Sequence, residues 1–140
     1  MDRADWQALA EERILAAQAL LVAQQWSSAY YLAGYAVEFG LKSCILIHLA
    51  KNIGVIFDDR RFSEKCFSHN IEDLVRLSGL EDAKAVECAA NSIVEQNWLI
   101  VGKWTEKSRY EQKTKLDAEK LYSAITDIGN GVMPWIRTHW

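Results

Sequence analysis

Residues 27–50 read Ser27-Ser-Ala-Tyr-Tyr-Leu-Ala-Gly-Tyr-Ala-Val-Glu38-Phe-Gly-Leu-Lys42-Ser-Cys-Ile-Leu-Ile-His48-Leu-Ala50, and they are apolar on nearly every side of a helix. A transmembrane helix needs about 20 apolar residues, and this run is long enough. However, Glu38, Lys42 and His48 lie inside it, and a charged group near the centre of a bilayer costs roughly 2.5 to 3.5 kcal/mol. We therefore expect no membrane span but the central helix of a soluble bundle, with Glu38 and Lys42 paired at i,i+4.

Composition and charge indicate one folded domain over residues 1–140. Half of the residues are apolar and a quarter are charged, which is globular rather than disordered composition. The single proline and the seven glycines leave few breaks, so an all-α fold is expected. The net charge of −3 gives no argument for broad coating of nucleic acid, although it does not exclude a local basic patch.

The chain start and the cysteines favour a cytoplasmic protein. Asp2 and Arg3 open the first helix directly, without a basic-then-apolar leader, so secretion is not expected. The cysteines are odd in number and form no C-x-x-C pair, which fits free thiols in a reducing compartment. They are Cys44, Cys66 and Cys88.

Helical periodicity in the first half predicts an up-and-down hairpin. The first helix covers about residues 2–24, and the second follows Ser27 as its N-cap, with Trp26 and Tyr31 as a hydrophobic staple. So short a connection makes the two helices antiparallel. Residues 52–68 lose the helical period and are expected to form a polar connection.

The second half is predicted to add a short helix and two long ones, which gives a bundle of four long helices plus a short fifth. Asn70 can cap the short helix, which ends by Ser78 before Gly79. The next helix covers about residues 82–100 and ends at Gly102. Its predicted apolar stripe is Val86, Ala90, Ile93, Val94 and Trp98.

The last helix is predicted to start near Thr114 and to kink or end early, because Pro134 and nearby glycines weaken its final turns. Its predicted apolar face is Ala118, Leu121, Tyr122, Ile125, Ile128 and Val132.

Three segments occur in an order that is similar to one known family. They are Ser28-Ala-Tyr-Tyr-Leu-Ala-Gly-Tyr-Ala-Val-Glu-Phe-Gly-Leu-Lys42, then His69-Asn-Ile-Glu-Asp-Leu74, then Trp104 with Arg109-Tyr110. Together they span nearly the whole chain and resemble the HEPN domain, named for higher eukaryotes and prokaryotes nucleotide-binding. The resemblance implies a helical bundle that commonly dimerises and is often encoded beside a minimal nucleotidyltransferase.

Many HEPN relatives are metal-independent endoribonucleases of toxin–antitoxin or defence systems. Those enzymes resemble one another in an arginine, about four to six intervening residues, and a histidine, paired across the dimer. This chain departs from that pattern, because Arg61 stands seven intervening residues before His69. No arginine precedes His48 or His139 at that spacing. We therefore lean against an enzyme, and His69, Arg61 and Arg109 are the catalytic candidates if the chain is a ribonuclease.

Basic and aromatic residues alternate between Lys103 and Lys115, with a local charge of +3. Basic groups neutralise phosphates and aromatic faces stack on bases, a combination that suits a nucleotide or a single strand. The alternative is a solvated loop whose aromatic residues pack back on the bundle. The predicted ligand-binding residues are Glu38, Lys42, His69, Lys103, Trp104, Lys107, Arg109 and Tyr110.

Several of these side chains also have a purely structural interpretation. Glu38 and Lys42 either fix the register of the bundle as an ion pair or line a groove, with Lys42 towards a phosphate. His69 either bonds backbone at the start of the short helix or acts as a general base. His48 and Cys44 share a helical face, but nothing supplies the rest of a zinc site, so a core histidine and no metal or cofactor are expected.

Three functions from different classes fit the sequence. The one we favour is a non-catalytic, HEPN-like module that binds a nucleotide or RNA and works with a nucleotidyltransferase partner in a toxin–antitoxin or defence-type system. The others are an endoribonuclease and a purely structural dimerisation domain. Six tryptophans and five tyrosines exceed what one small core buries, so we expect a homodimer. Its predicted contact residues, on the fourth helix or the end of the fifth, are Trp98, Trp135 and Trp140.

Overall fold

Helices make up all of the regular structure of this protein, which confirms the all-α prediction. The computed structural model describes all 140 residues and contains no strand. The α-helices, in chain order, are α1 (Arg3–Val22), α2 (Trp26–Lys51), α3 (Val55–Asp58), α4 (Phe62–Lys65), α5 (Ile71–Leu77), α6 (Glu81–Ala90), α7 (Ser92–Gly102), α8 (Lys115–Thr126) and α9 (Val132–Arg137). A 3₁₀ helix, Glu106–Tyr110, lies between α7 and α8. The predicted count of four long helices and a short fifth is therefore wrong.

The first two helices form the predicted antiparallel hairpin. A capping box starts α1, because the Asp2 carboxylate accepts the N–H of Asp5 at 2.9 Å and the Asp5 carboxylate accepts the N–H of Asp2 at 2.8 Å. Gln24 adopts a left-handed φ of 59° in the turn, which lets the chain reverse direction between the two helices. α1 then packs along α2.

The predicted start of the second helix is wrong. α2 begins at Trp26 rather than after Ser27, so Trp26 lies inside the helix and forms no staple across a cap. Ser27 instead accepts a hydrogen bond from the backbone N–H of Lys113 through its Oγ, at 2.8 Å. A distant segment of the chain therefore uses the side chain that local rules assign to the helix cap.

α2 is the core helix of the fold, as its composition predicts. It packs against α1, α5, α8 and α9. It is long and apolar enough to cross a membrane by length and composition alone, but 61% of its apolar window is buried inside the protein. The other helices therefore cover the apolar surface that a lipid would otherwise have to cover.

The segment after α2 contains more structure than the sequence predicts. Two single-turn helices, α3 and α4, lie in the expected polar connection. The cap of α5 is as predicted, because the Asn70 side chain accepts the N–H of Asp73 at 3.0 Å. Gly79 then takes a φ of 72°, the left-handed conformation that ends a helix most easily.

The predicted single helix over residues 82–100 is two helices. Asn91 takes an extended conformation (φ −140°, ψ 101°) that ends α6, and its side chain caps α7 by accepting the N–H groups of Ile93 and Val94. The predicted apolar stripe fails at Val86, Ala90 and Ile93, which are exposed. Trp98 is only 4% exposed, so it is core and not the dimer contact that we expected.

The last predicted helix ends early, as expected from its glycines and proline. Thr114 and Asp117 form a capping box at the start of α8. After α8 ends at Thr126, a turn leads to α9, where Pro134 occupies the first turn and needs no hydrogen-bonded N–H. Ile128 lies in the turn and is exposed, so its assignment to the apolar face is wrong.

Candidate functional site

A buried carboxylate lies at the centre of the candidate site. Glu38, in the middle of α2, is 1% exposed. The Lys42 ammonium group lies 2.9 Å from Glu38 Oε1, which confirms the predicted i,i+4 pair. Because a buried charge is expensive to leave unpaired, this ion pair holds both side chains in place.

The second partner of Glu38 is His69, which directly precedes the cap of α5. Nδ1 of His69 lies 3.1 Å from Glu38 Oε1 and 3.0 Å from Oε2. An ionised carboxylate can only accept, so Nδ1 carries the hydrogen and Nε2 is the nitrogen left for a ligand. The expected hydrogen bond between this ring and the backbone is therefore wrong. The His69 side chain remains 43% exposed.

Aromatic side chains of α2 support this histidine. The ring of Tyr35 meets His69 edge-on at 6.1 Å and Trp104 edge-on at 5.0 Å between centroids. Tyr31 donates a hydrogen bond to the Tyr35 hydroxyl at 3.3 Å. Burial, followed by the neighbouring Tyr31 hydroxyl and the carboxylates of Glu38 and Glu106, raises the pKa of Tyr35. Tyr35 therefore stays protonated and acts as a wall, not as a base.

Trp104 is part of the core and not an exposed stacking surface. It is 2% exposed, and its indole N–H donates to the backbone oxygen of Tyr31 at 3.2 Å. The ring lies against Gly34 of α2 so closely that a Cβ atom there would overlap it. The prediction that Trp104 stacks on a base is therefore wrong, and its replacement would act on stability.

A cavity of about 560 Å³ opens beside His69. This volume lies within the range of about 300 to 1,000 Å³ that is typical of small-molecule sites. Lys107 is the one lysine or arginine that lines it, and Glu106 Oε2 lies 4.0 Å from His69 Nδ1. The complete lining is Ser68, His69, Asn70, Ile71, Glu72, Gly102, Trp104, Thr105, Glu106 and Lys107.

The other predicted ligand residues do not line this cavity. Lys103 lines an adjoining cavity of about 630 Å³ between α5, α6 and α7, which shares Glu72 and Gly102 with the first. Arg109 places its guanidinium group 5.0 Å from the ring of exposed Tyr110. Lys42 lines a different, mainly apolar cavity between α1, α2 and the α3–α4 segment. Arg61 lines none of these three cavities, so the structure does not bring it together with His69.

His48 and Cys44, the other two α2 side chains with possible metal-binding chemistry, pack against the rest of the protein. His48 packs against Gly79, at the end of α5. Burial raises the pKa of the Cys44 thiol to about 12, which keeps it protonated and unreactive. No group of three side chains with metal-binding chemistry occurs in the protein.

Two of the side chains that lie against His69, Tyr35 and Glu106, were not among the residues predicted from the sequence to bind a ligand. Neither has a local signal, because each meets His69 only after α2, α5 and the 3₁₀ helix have packed together. No family model, curated protein or solved structure matches this chain.

Proposed function

We propose that this chain is a non-catalytic, HEPN-like module that binds a nucleotide or an RNA end in the His69 cavity. In this proposal it works in the cytoplasm with a nucleotidyltransferase partner, in a toxin–antitoxin or defence-type system. The observation that carries the proposal is the meeting of His69 and Lys107 in a cavity of about 560 Å³. The partner and the type of system rest on the sequence resemblance alone.

Two groups of the lining, Lys107 and His69, suit a phosphorylated ligand. Lys107 supplies a cation for a phosphate, and His69 presents Nε2 because Glu38 occupies its other nitrogen. Glu72 and Glu106 add acceptors that suit ribose hydroxyls or the amino groups of bases. With one lysine among several polar groups, the cavity suits one nucleotide or a chain end better than a long polyanion.

Direct titration tests this proposal. A labelled single-stranded RNA of about ten nucleotides, followed by fluorescence anisotropy, and ATP, followed by calorimetry, cover the two ligand classes. We expect Lys107→Glu to weaken binding by at least about tenfold and to reduce the salt slope by about one, because one phosphate contact is lost.

Lys120→Glu is the matched control for that variant. Lys120 is an exposed lysine on α8 and lies outside the cavity, so the substitution changes the net charge equally. If both variants lose affinity equally, the general charge of the protein and not the cavity attracts the ligand. If neither probe binds the folded wild-type protein, the proposed function is wrong.

The Glu38–His69 hydrogen bonds favour a second candidate, metal-independent cleavage of RNA. A carboxylate that fixes Nδ1 leaves Nε2 able to take the proton of a ribose 2′-hydroxyl as its oxygen attacks the phosphorus, while Lys107 stabilises charge on the phosphate. The P–O5′ bond then breaks, and the imidazolium returns the proton to the leaving 5′-oxygen. The same RNA incubated in excess EDTA distinguishes the candidates. Cleavage that His69→Ala abolishes would identify an enzyme, and intact RNA that remains bound supports the binding module.

A further inference from the structure

A second cavity, of about 390 Å³, lies between α1, α2 and the α3–α4 segment, and its walls are mainly apolar. Its polar lining comprises only Lys42, Asp59, Arg60 and Ser63. Its apolar lining consists of Trp6, Ile45, Leu46, Leu49, Ile56, Phe62, Cys66 and Phe67. His69 does not line it, so the cavity is separate from the proposed nucleotide site.

The charges in this cavity leave a positive excess. The Asp59 carboxylate is already engaged, because it accepts from Lys65 Nζ at 2.6 Å and from the backbone N–H of Arg61 at 3.0 Å. Arg60 makes no salt bridge, although it lines the cavity. Lys42 lies between Glu38 and the ring of Trp6, 5.3 Å from the ring centroid. The unmatched group in the lining is therefore a cation.

The apolar wall of the cavity is incompletely covered. Phe67, which follows α4, is 77% exposed, and Ile56 of α3 is also exposed. Leaving such side chains in water forfeits about 25 cal/mol for each Å² of apolar area that a ligand would cover. An apolar ligand that fills the cavity would therefore gain hydrophobic free energy by covering side chains that the protein itself leaves in water.

We propose that this cavity binds a small amphiphilic anion, with an apolar body and one carboxylate head of the fatty-acid class. The body packs against Trp6, Leu49 and Phe67, and the head pairs with Arg60 at the rim, with Lys42 behind it. The volume is that of a small-molecule site, and one unmatched arginine beside apolar walls matches one head group. The proposal does not depend on the function of the His69 cavity.

Calorimetry with decanoate tests this proposal, with 1-decanol as the uncharged probe of equal chain length. We expect decanoate to bind in a 1:1 ratio and at least about tenfold more tightly than decanol, a difference of about 1.4 kcal/mol. Arg60→Gln should remove most of that difference and leave decanol binding unchanged. Arg61→Gln is the matched control, because this neighbouring arginine does not line the cavity.

A second variant tests the location without touching the core. Ser63 is exposed and lines the cavity, so Ser63→Trp should block both probes while the protein stays folded. Equal binding of decanoate and decanol, or decanoate binding that survives Ser63→Trp, would overturn the proposal. Binding to phosphatidylglycerol vesicles without 1:1 binding of decanoate would instead identify a membrane contact and overturn it too. The proposal would also be overturned if the protein formed a dimer that covers the cavity in the absence of decanoate.

Discussion

Glu38 is a single carboxylate that binds two partners from different parts of the chain. Lys42 comes from its own helix, one turn away, and His69 comes from the start of α5. Two interactions together offset the desolvation cost of this one buried carboxylate. Because both partners bind Glu38, its position fixes the Lys42 and His69 side chains relative to each other. The position of His69 in its cavity therefore depends on α2, whose burial makes it the most constrained helix of the fold.

Another residue, His139, makes stability depend on pH. Its ring lies 4.4 Å from the Trp135 ring between centroids, and burial lowers its pKa from the ordinary 6.5. The unfolded chain therefore binds a proton at a higher pH than the folded protein does. As the pH falls from about 7.5 to about 5, the free energy of unfolding should decrease.

His139→Phe keeps an aromatic ring against Trp135 and removes the proton-binding group. Urea unfolding of this variant should show a smaller loss of stability between about pH 7.5 and about pH 5 than the wild type shows. Above about pH 7.5 the two proteins should have equal slopes, because His139 is neutral in both states there. Equal slopes across the acidic range as well would contradict the prediction.

At the scale of helices, local signals predict the starts of α5 and α8. The side chains of Asn70 and Thr114 accept hydrogen bonds from N–H groups three residues ahead, so these helix starts can be predicted from local spacing. Ser27 has the same chemistry, yet its hydroxyl bonds Lys113, which no local pattern reveals. His69 and Glu38 were both selected from the sequence, but their contact spans 31 residues and depends on how α5 packs against α2.

The break between α6 and α7 shows why the apolar period misled the prediction. The period continues through residues 86–98, but Asn91 caps α7 and donates through Nδ2 to the Asn130 side chain at 2.8 Å. That bond joins residues 39 positions apart and stabilises the break. A tertiary contact thus overrides a helical pattern that favours continuation.

Asn91→Ala should therefore destabilise the protein by about 1 to 2 kcal/mol, because the α7 cap and the bond to Asn130 are lost together. Denaturant unfolding measures this difference. Ser92→Ala is the matched control, since Ser92 is exposed at the next position and its side chain makes no hydrogen bond. Equal stabilities of the two variants would show that the break does not depend on the Asn91 side chain.

For the whole molecule, the tryptophan side chains are better accommodated than the sequence suggests, because none of the six is exposed. Trp98 packs edge-on against Trp135 at 5.6 Å, and Trp104 is buried against α2. The apolar side chains left in water on α6 and α7 are instead aliphatic. They are Val86, Ile93 and Leu99. We propose that this α6–α7 surface is the contact of a homodimer.

Light scattering tests this dimer at tens of micromolar, roughly the range where a contact of moderate affinity is populated. We expect a dimer for the wild type and a monomer for Leu99→Glu, because a buried unpaired charge opposes association. Leu116→Glu on α8 is the control, since Leu116 is at least as exposed as Leu99 but lies on another helix. A wild type that is monomeric throughout would remove the proposed dimer.

The close approach of Trp104 to Gly34 constrains how this sequence can diverge. The indole ring of Trp104 occupies the space that a Cβ atom at position 34 would need, and glycine has no such atom. Any lineage that acquires a larger residue at position 34 must also acquire a smaller one at position 104, and the first of the two changes is unfavourable in either order. Among relatives of this protein, glycine and tryptophan at these positions should therefore be inherited together or lost together, as a covarying pair.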